Sequence, residues 1–206
     1  MVRHPLSTFN RMGLFLILSM SAACDFGKPK PNTGNPEDKV LFDLGQALAA
    51  NDKKTALTLY DLEFRQRMDL WDQTLKSVQN QDKQAELLKA NEPRLGDAAA
   101  LVTTGSEAWA EVQGQPWAEE LASGKCVSGP PSKDDLGRGV VPKEDPKKMN
   151  QDVGAFVFNL RTMVNWSPVF RVNCPKGGTT FWVQLAQRKK TDPAQEPPLR
   201  IVRIMK

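Results

Sequence analysis

Val169-Phe-Arg-Val-Asn-Cys-Pro-Lys-Gly-Gly-Thr-Thr-Phe-Trp-Val-Gln-Leu-Ala-Gln187 decides the fold. Val169 to Cys174 alternates in polarity, and Pro175-Lys-Gly-Gly178 supplies a turn. Thr179 to Gln187 alternates again, with Phe181, Val183 and Leu185 on one face and Trp182, Gln184 and Ala186 on the other. Successive side chains of a strand point to opposite faces, so 168–187 is predicted to be an antiparallel hairpin. Leu199-Arg-Ile-Val-Arg-Ile-Met205 reads as a last strand, with Arg200 and Arg203 at edges or on the wet side. Val153 to Leu160 is apolar and aromatic and suits a strand or a helix.

Upstream of the hairpin the periodicity changes to that of helices. Asn35-Pro36-Glu37-Asp38 is a helix start: Asn35 can cap, Pro36 fits the first turn and the acids suit the positive end. Val40, Leu41, Leu44, Ala47 and Leu48 follow at helical spacing, and Asn51-Asp52 breaks or re-caps the run. Leu57, Tyr60, Phe64, Met68, Trp71, Leu75 and Val78 then form one apolar stripe, which predicts a single long helix from about Lys53 to Gln79. Asp61–Arg65, Glu63–Arg67 and Asp72–Lys76 are spaced to pair along it. The stripe reads as a core helix, with a partner-binding coiled-coil seam as the alternative. A further helical stretch at 84–102 is interrupted by Glu92-Pro93, and short helices are predicted at 106–112 and 116–122. Residues 128–148 carry four prolines and three glycines and read as a long loop. Helices first and a small antiparallel sheet last make an α+β domain over 36–206.

Hydrophobic residues are 40% of the chain and charged ones 25%, as in a globular protein. The net charge of +4 is spread without a dense Lys/Arg block, which argues against nucleic acid as a partner. Before the domain stands a short leader. Arg3, His4 and Arg11 precede an apolar core, Met12-Gly-Leu-Phe-Leu-Ile-Leu18, and Ser21-Ala-Ala-Cys24 ends it. A positive then apolar segment closing on small residues is an export signal, too short to span a bilayer. This arrangement resembles the lipobox of bacterial lipoproteins, although Ser21 stands where that family usually has Leu. The resemblance implies cleavage after residue 23 and acylation of Cys24. A simple secreted product is the alternative. Two or three acyl chains would hold the protein on a membrane where one would not. Asp25 resembles the inner-membrane retention signal of enteric lipoproteins; the outer membrane is the other destination. Residues 24–35 form a polar, Pro- and Gly-bearing tether.

Loss of the leader would remove Arg3, Arg11 and the one histidine, His4, so the net charge would fall by two. A chain without histidine excludes Ser-His-Asp and Cys-His catalysis and any histidine-containing zinc site. With Cys24 acylated, Cys126 and Cys174 remain, and in an oxidising compartment they read as a structural disulfide closing about fifty residues, worth at most about 4 kcal/mol. There is no phosphate loop, dinucleotide fingerprint or EF-hand. Ser128-Gly-Pro-Pro-Ser132-Lys133 offers neighbouring serine and lysine, but in a Pro/Gly stretch that gives a nucleophile no support. No cofactor or metal is expected, and the chain reads as a non-enzyme.

The helix-then-sheet order, with Asn51-Asp-Lys-Lys-Thr-Ala-Leu57 near its start, resembles the nuclear-transport-factor-like lipoproteins over 37–206, and no site residue is carried over from them. In layout (lipobox, tether, disulfide-bonded domain) the chain resembles lipoproteins that neutralise secreted cell-wall-degrading toxins. That resemblance implies a protein partner in the periplasm and a role as inhibitor or immunity protein. A small-ligand carrier and an accessory part of an envelope or secretion machine are the alternatives. Trp and Arg dominate protein interfaces because each desolvates a large area while keeping a polar handle. Trp166, Arg171, Trp182 and Arg188, near the disulfide, are therefore the candidate contacts. Trp71 and Trp109 fall on apolar stripes and are expected in the core. Trp182 faces either a partner or a helix layer on a sheet covered on both sides.

Overall fold

A computed structural model describes residues 34–130, 145–191 and 194–206. The leader, Cys24 and the tether as far as residue 33 lie outside the described residues, as does 131–144 of the Pro/Gly stretch. The chain is α+β. Among the described residues seven helices are followed or interrupted by five strands: α1 (Pro36–Ala49), α2 (Lys53–Thr58), α3 (Leu62–Ser77), α4 (Gln81–Asn91), α5 (Ala98–Val112), α6 (Ala118–Ala122), β1 (Val127–Gly129), α7 (Gln151–Met163), β2 (Val164–Trp166), β3 (Val169–Cys174), β4 (Thr179–Arg188) and β5 (Leu199–Met205).

The sheet is antiparallel throughout, in the order β1-β3-β4-β2, with β5 pairing the other side of β4. The ten-residue β4 is its spine: β3 and β2 share one edge, and β5 takes the other. The hairpin lies where the alternation puts it, with Val172 opposite Phe181 and Cys174 opposite Thr179.

The sheet is buried on both faces. One face carries Val172, Phe181, Val183, Leu185 and Ile201 against Leu41, Leu44, Trp117 and Leu121 of the N-terminal helices. Trp117 stacks on Phe181 with ring centroids 4.5 Å apart. The other face packs Ala186, Val202 and Val164 against Phe64, Met68 and Trp71 of α3 and Phe156, Val157 and Leu160 of α7. Trp71 and Trp109 are both buried, as their stripes require. Val153 to Leu160 is helical, because Val153, Phe156, Val157 and Leu160 recur at three and four residues toward one core.

The single helix expected over 53–79 is two. The break falls at Leu59–Asp61, where the chain runs alongside β5: the Ile201 N–H donates to the Leu59 carbonyl and the Asp61 N–H to the Ile201 carbonyl, both at 2.8 Å. Asp61 then caps α3, accepting the Phe64 N–H at 3.0 Å, and Asp52 caps α2 in the same way through Thr55. The apolar stripe concealed the break because Tyr60 and Phe64 stay buried on either side of it. Asn51 has φ 51, the left-handed turn that ends α1. Asn35 stands at the first cap without a side-chain cap bond. The helix expected at 106–112 begins earlier, at Ala98. The long loop is shorter at both ends than its composition suggests. Ser128 and Gly129 pair with β3, and Pro146–Lys148 is a 3₁₀ turn.

Two glycines are required by contact. A Cβ on Gly45 would lie 2.3 Å from the Ala122 backbone nitrogen, and one on Gly154 would lie 2.4 Å from the Pro146 carbonyl oxygen. Cys126 and Cys174 are bridged, with Cα atoms 4.3 Å apart, tying the strand after α6 to the end of β3.

Candidate functional site

The four candidate contact residues divide between two places. Arg171 and Trp182 are register partners across β3 and β4, and Met205 of β5 lies opposite Trp182 on the other side. Gly129 of β1 pairs with Arg171, so one row crosses four strands. Arg171 is exposed, while Trp182 and Met205 are half-buried. Gln184 and Ala186, further along the same face, are wholly buried beneath α3 and α7. The helix layer thus covers one end of this face fully and the Arg171–Trp182–Met205 row in part: Arg171 is open, while Trp182 is half-buried with its indole nitrogen inside.

Arg188 lies six residues along β4 from Trp182, about 20 Å at strand rise, and its role is different. Its guanidinium donates to both oxygens of Asp61, at 2.5 and 2.6 Å, and to Glu63 at 3.2 Å. Glu63 also pairs with Arg67 at 3.4 Å. Burial alone would lower the Arg188 guanidinium, but the Asp61 hydrogen bonds and the Asp61 and Glu63 charges outweigh it and hold it above its ordinary value. Arg188 is therefore a clasp between the end of β4 and the start of α3. The backbone of Trp166 pairs with Gln187 beside this clasp, and its side chain lies outside what the structure describes.

Of the three helical ion pairs expected along 61–76, Glu63–Arg67 forms. Asp61 turns to Arg188 instead, and Asp72 to Arg203 at 2.6 Å. Arg65 takes Glu111 of α5 through two hydrogen bonds and approaches Asp69 at 3.4 Å. The half-buried Arg203 also donates to Gln184, whose amide donates to Ser167. Tertiary partners 46 to 131 residues away displace neighbours on the same helix, and helical spacing alone carries no signal for them.

The Arg188 clasp forms one wall of a cleft of about 980 Å³. Leu57, Leu62, Leu101 and Met163 give it apolar sides, Pro197 and Pro198 close it from the loop before β5, and Lys189 and Arg200 stand in its lining. A smaller hollow, of about 270 Å³, shares Leu57, Leu62 and Leu101 with it and reaches Val102, which is 71% exposed, and Lys53. Tyr60 also borders the cleft. Its hydroxyl is buried without a hydrogen-bond partner, and burial raises the phenol well above its ordinary value.

Glu120, Cys126 and Cys174 bring potential metal-ligand atoms within 4.8 Å of one another. The two sulfurs are joined to each other, and the Glu120 carboxylate accepts the Lys176 and Gly177 N–H groups at 2.8 and 2.6 Å, which fixes the hairpin turn. Their geometry is that of a structural corner. No helix among the described residues is long and apolar enough to cross a membrane. No protein-family model, no curated protein and no solved structure matches the chain.

Proposed function

We propose that this chain is an envelope lipoprotein, anchored through Cys24, whose domain acts by stoichiometric binding of another protein in the periplasm. Inhibition of a secreted cell-wall-degrading toxin, as an inhibitor or immunity protein, is the form of that activity that its layout favours. The observation that supports binding is the row of an exposed Arg171 beside the half-buried Trp182 and Met205. A guanidinium beside a half-buried indole on a rigid strand pair is the composition of an interface anchor. Arg188 is reassigned from contact residue to clasp.

The test is affinity capture from native cells with the membrane-anchored protein as bait, beside a bait carrying Arg171→Glu and Trp182→Ala. The parent should retain one partner near one-to-one, and the variant should bind it at least about thirty-fold more weakly, the size of a 2 kcal/mol anchor. Both baits should melt as folded proteins. A toxin target would lose activity at one equivalent of the parent. Equal capture by both baits would remove this row from the site, and turnover of cell-wall substrate by the purified domain would overturn the non-catalytic reading.

A further inference from the structure

The cleft beside the Arg188 clasp is separate from the Arg171–Trp182 row and has its own chemistry. Its charges are of two kinds. Asp61, Glu63 and Arg188 of the lining are paired with one another, and Arg67 reaches Glu63 from outside it. What remains in the lining is Lys189 and Arg200 against Glu196, with Lys53 in the adjoining hollow. Glu196 is near Gln187, whose amide approaches it at 3.5 Å. Neither Lys189 nor Arg200 forms an ion pair among the described residues. The lining balances in total charge, but Lys189 and Arg200 stand beside apolar walls without a bonded carboxylate among the described residues.

An extended peptide is poorly served there. Next to Arg200 of the lining, the β5 backbone at Ile201 is already paired, its N–H with Leu59 and its carbonyl with Asp61, so no ladder is free for a strand to join at that point. Pro197 and Pro198 on the facing loop have no N–H to donate. Recognition must come from side chains: Leu57, Leu62, Leu101 and Met163 for an apolar body, Lys189 and Arg200 for an anionic end. The volume lies at the upper end of the roughly 300–1,000 Å³ of small-molecule sites.

We propose that this cleft binds a small anionic amphiphile, with its chain along Leu57, Leu62 and Leu101 and its head at Lys189 and Arg200. A fatty carboxylate and a phosphate-headed single-chain lipid share this chemistry. The assignment does not depend on the protein-binding reading.

The test uses the purified protein with ¹³C-methyl-labelled methionine, titrated below micelle-forming concentrations with dodecanoate, dodecyl phosphate, dodecanol and dodecyltrimethylammonium. Met163 lines the cleft, whereas Met149 and Met205 lie elsewhere. Dodecanoate or dodecyl phosphate should shift the Met163 methyl saturably and leave Met149 and Met205 in place, and the tighter of the two identifies the head. Lys189→Glu with Arg200→Glu should weaken the anionic probes at least tenfold and dodecanol little, with an unchanged melting temperature. Equal binding of dodecyltrimethylammonium, shifts spread equally over Met68, Met149, Met163 and Met205, no shift at Met163, or undiminished anion binding by the folded double variant would each overturn the proposal.

Discussion

Asp69 shows how one side chain of α3 is set by its surroundings. It stands between Arg65 and Arg203, both at 3.4 Å, and close to Glu111 and Asp72. Burial raises its carboxyl above the ordinary 3.8, Glu111 and Asp72 add to the rise, and the two arginines offset only part of it. A carboxyl raised on folding binds its proton more tightly in the native state. Its stabilising contribution is therefore full below the unfolded value and is lost as pH rises through the native one. Urea melts of the parent and of Asp69→Asn should show the parent's relative stability falling as pH rises above the ordinary carboxylate value of 3.8. A parent advantage that grew with pH would mean that the arginines dominate. At this scale the sequence was least legible. Asp61 and Arg65 stand four apart and suit each other on paper, yet Asp61 is taken by Arg188 and Arg65 by Glu111. Partners brought together by the fold leave no local spacing to read.

At the scale of elements, the alternating and 3.6-residue patterns carried most of the architecture. The hairpin, the last strand and the first helix follow directly from apolar spacing. The break at Leu59–Asp61 did not, because a cap aspartate looks like any surface acid and the stripe runs on through the interruption. The α1–α6 contact was invisible for the opposite reason: its determinant is a missing side chain. At Gly45 the backbone of Ala122 lies where a methyl would go. Gly45→Ala would ordinarily favour a helix by about 1 kcal/mol. Here it should destabilise by about 1–3 kcal/mol, since α6 must move for the methyl to fit. Chemical denaturation of the two proteins measures this, and a neutral or stabilising change would show that α6 yields without cost.

For the whole molecule, the sheet divides two cores, and the Cys126–Cys174 bridge belongs to the one under the N-terminal helices. It closes a segment with a sequence separation of 48. Cross-linking mainly restrains the unfolded chain, so replacing both cysteines with Ala should cost about 2–4 kcal/mol while the α+β fold persists. Denaturant titration and far-ultraviolet circular dichroism test the two halves of that statement. The pairing was legible in the sequence only through the expectation that Cys24 is acylated, which leaves two thiols. Their position at the hairpin corner, beside Glu120 and its grip on Lys176 and Gly177, was not. Of the proposed contact set, the alternation of β4 identified the face that bears Trp182. It could not say how far the helix layer reaches along that face.

The bridge from Leu59–Asp61 to Ile201 spans about 140 residues and sets the order of events during synthesis. At roughly 5–20 residues per second, the junction between α2 and α3 waits on the order of ten seconds for its partner strand to be made. During that interval Phe64, Met68 and Trp71 exist without Ala186 and Val202, the sheet residues that later cover them. Contacts so distant in sequence make folding slow even after the chain is complete, on the order of milliseconds to seconds. The nascent chain therefore passes through a period in which its second core cannot close, and during which any factor that holds unfolded chains has time to engage it.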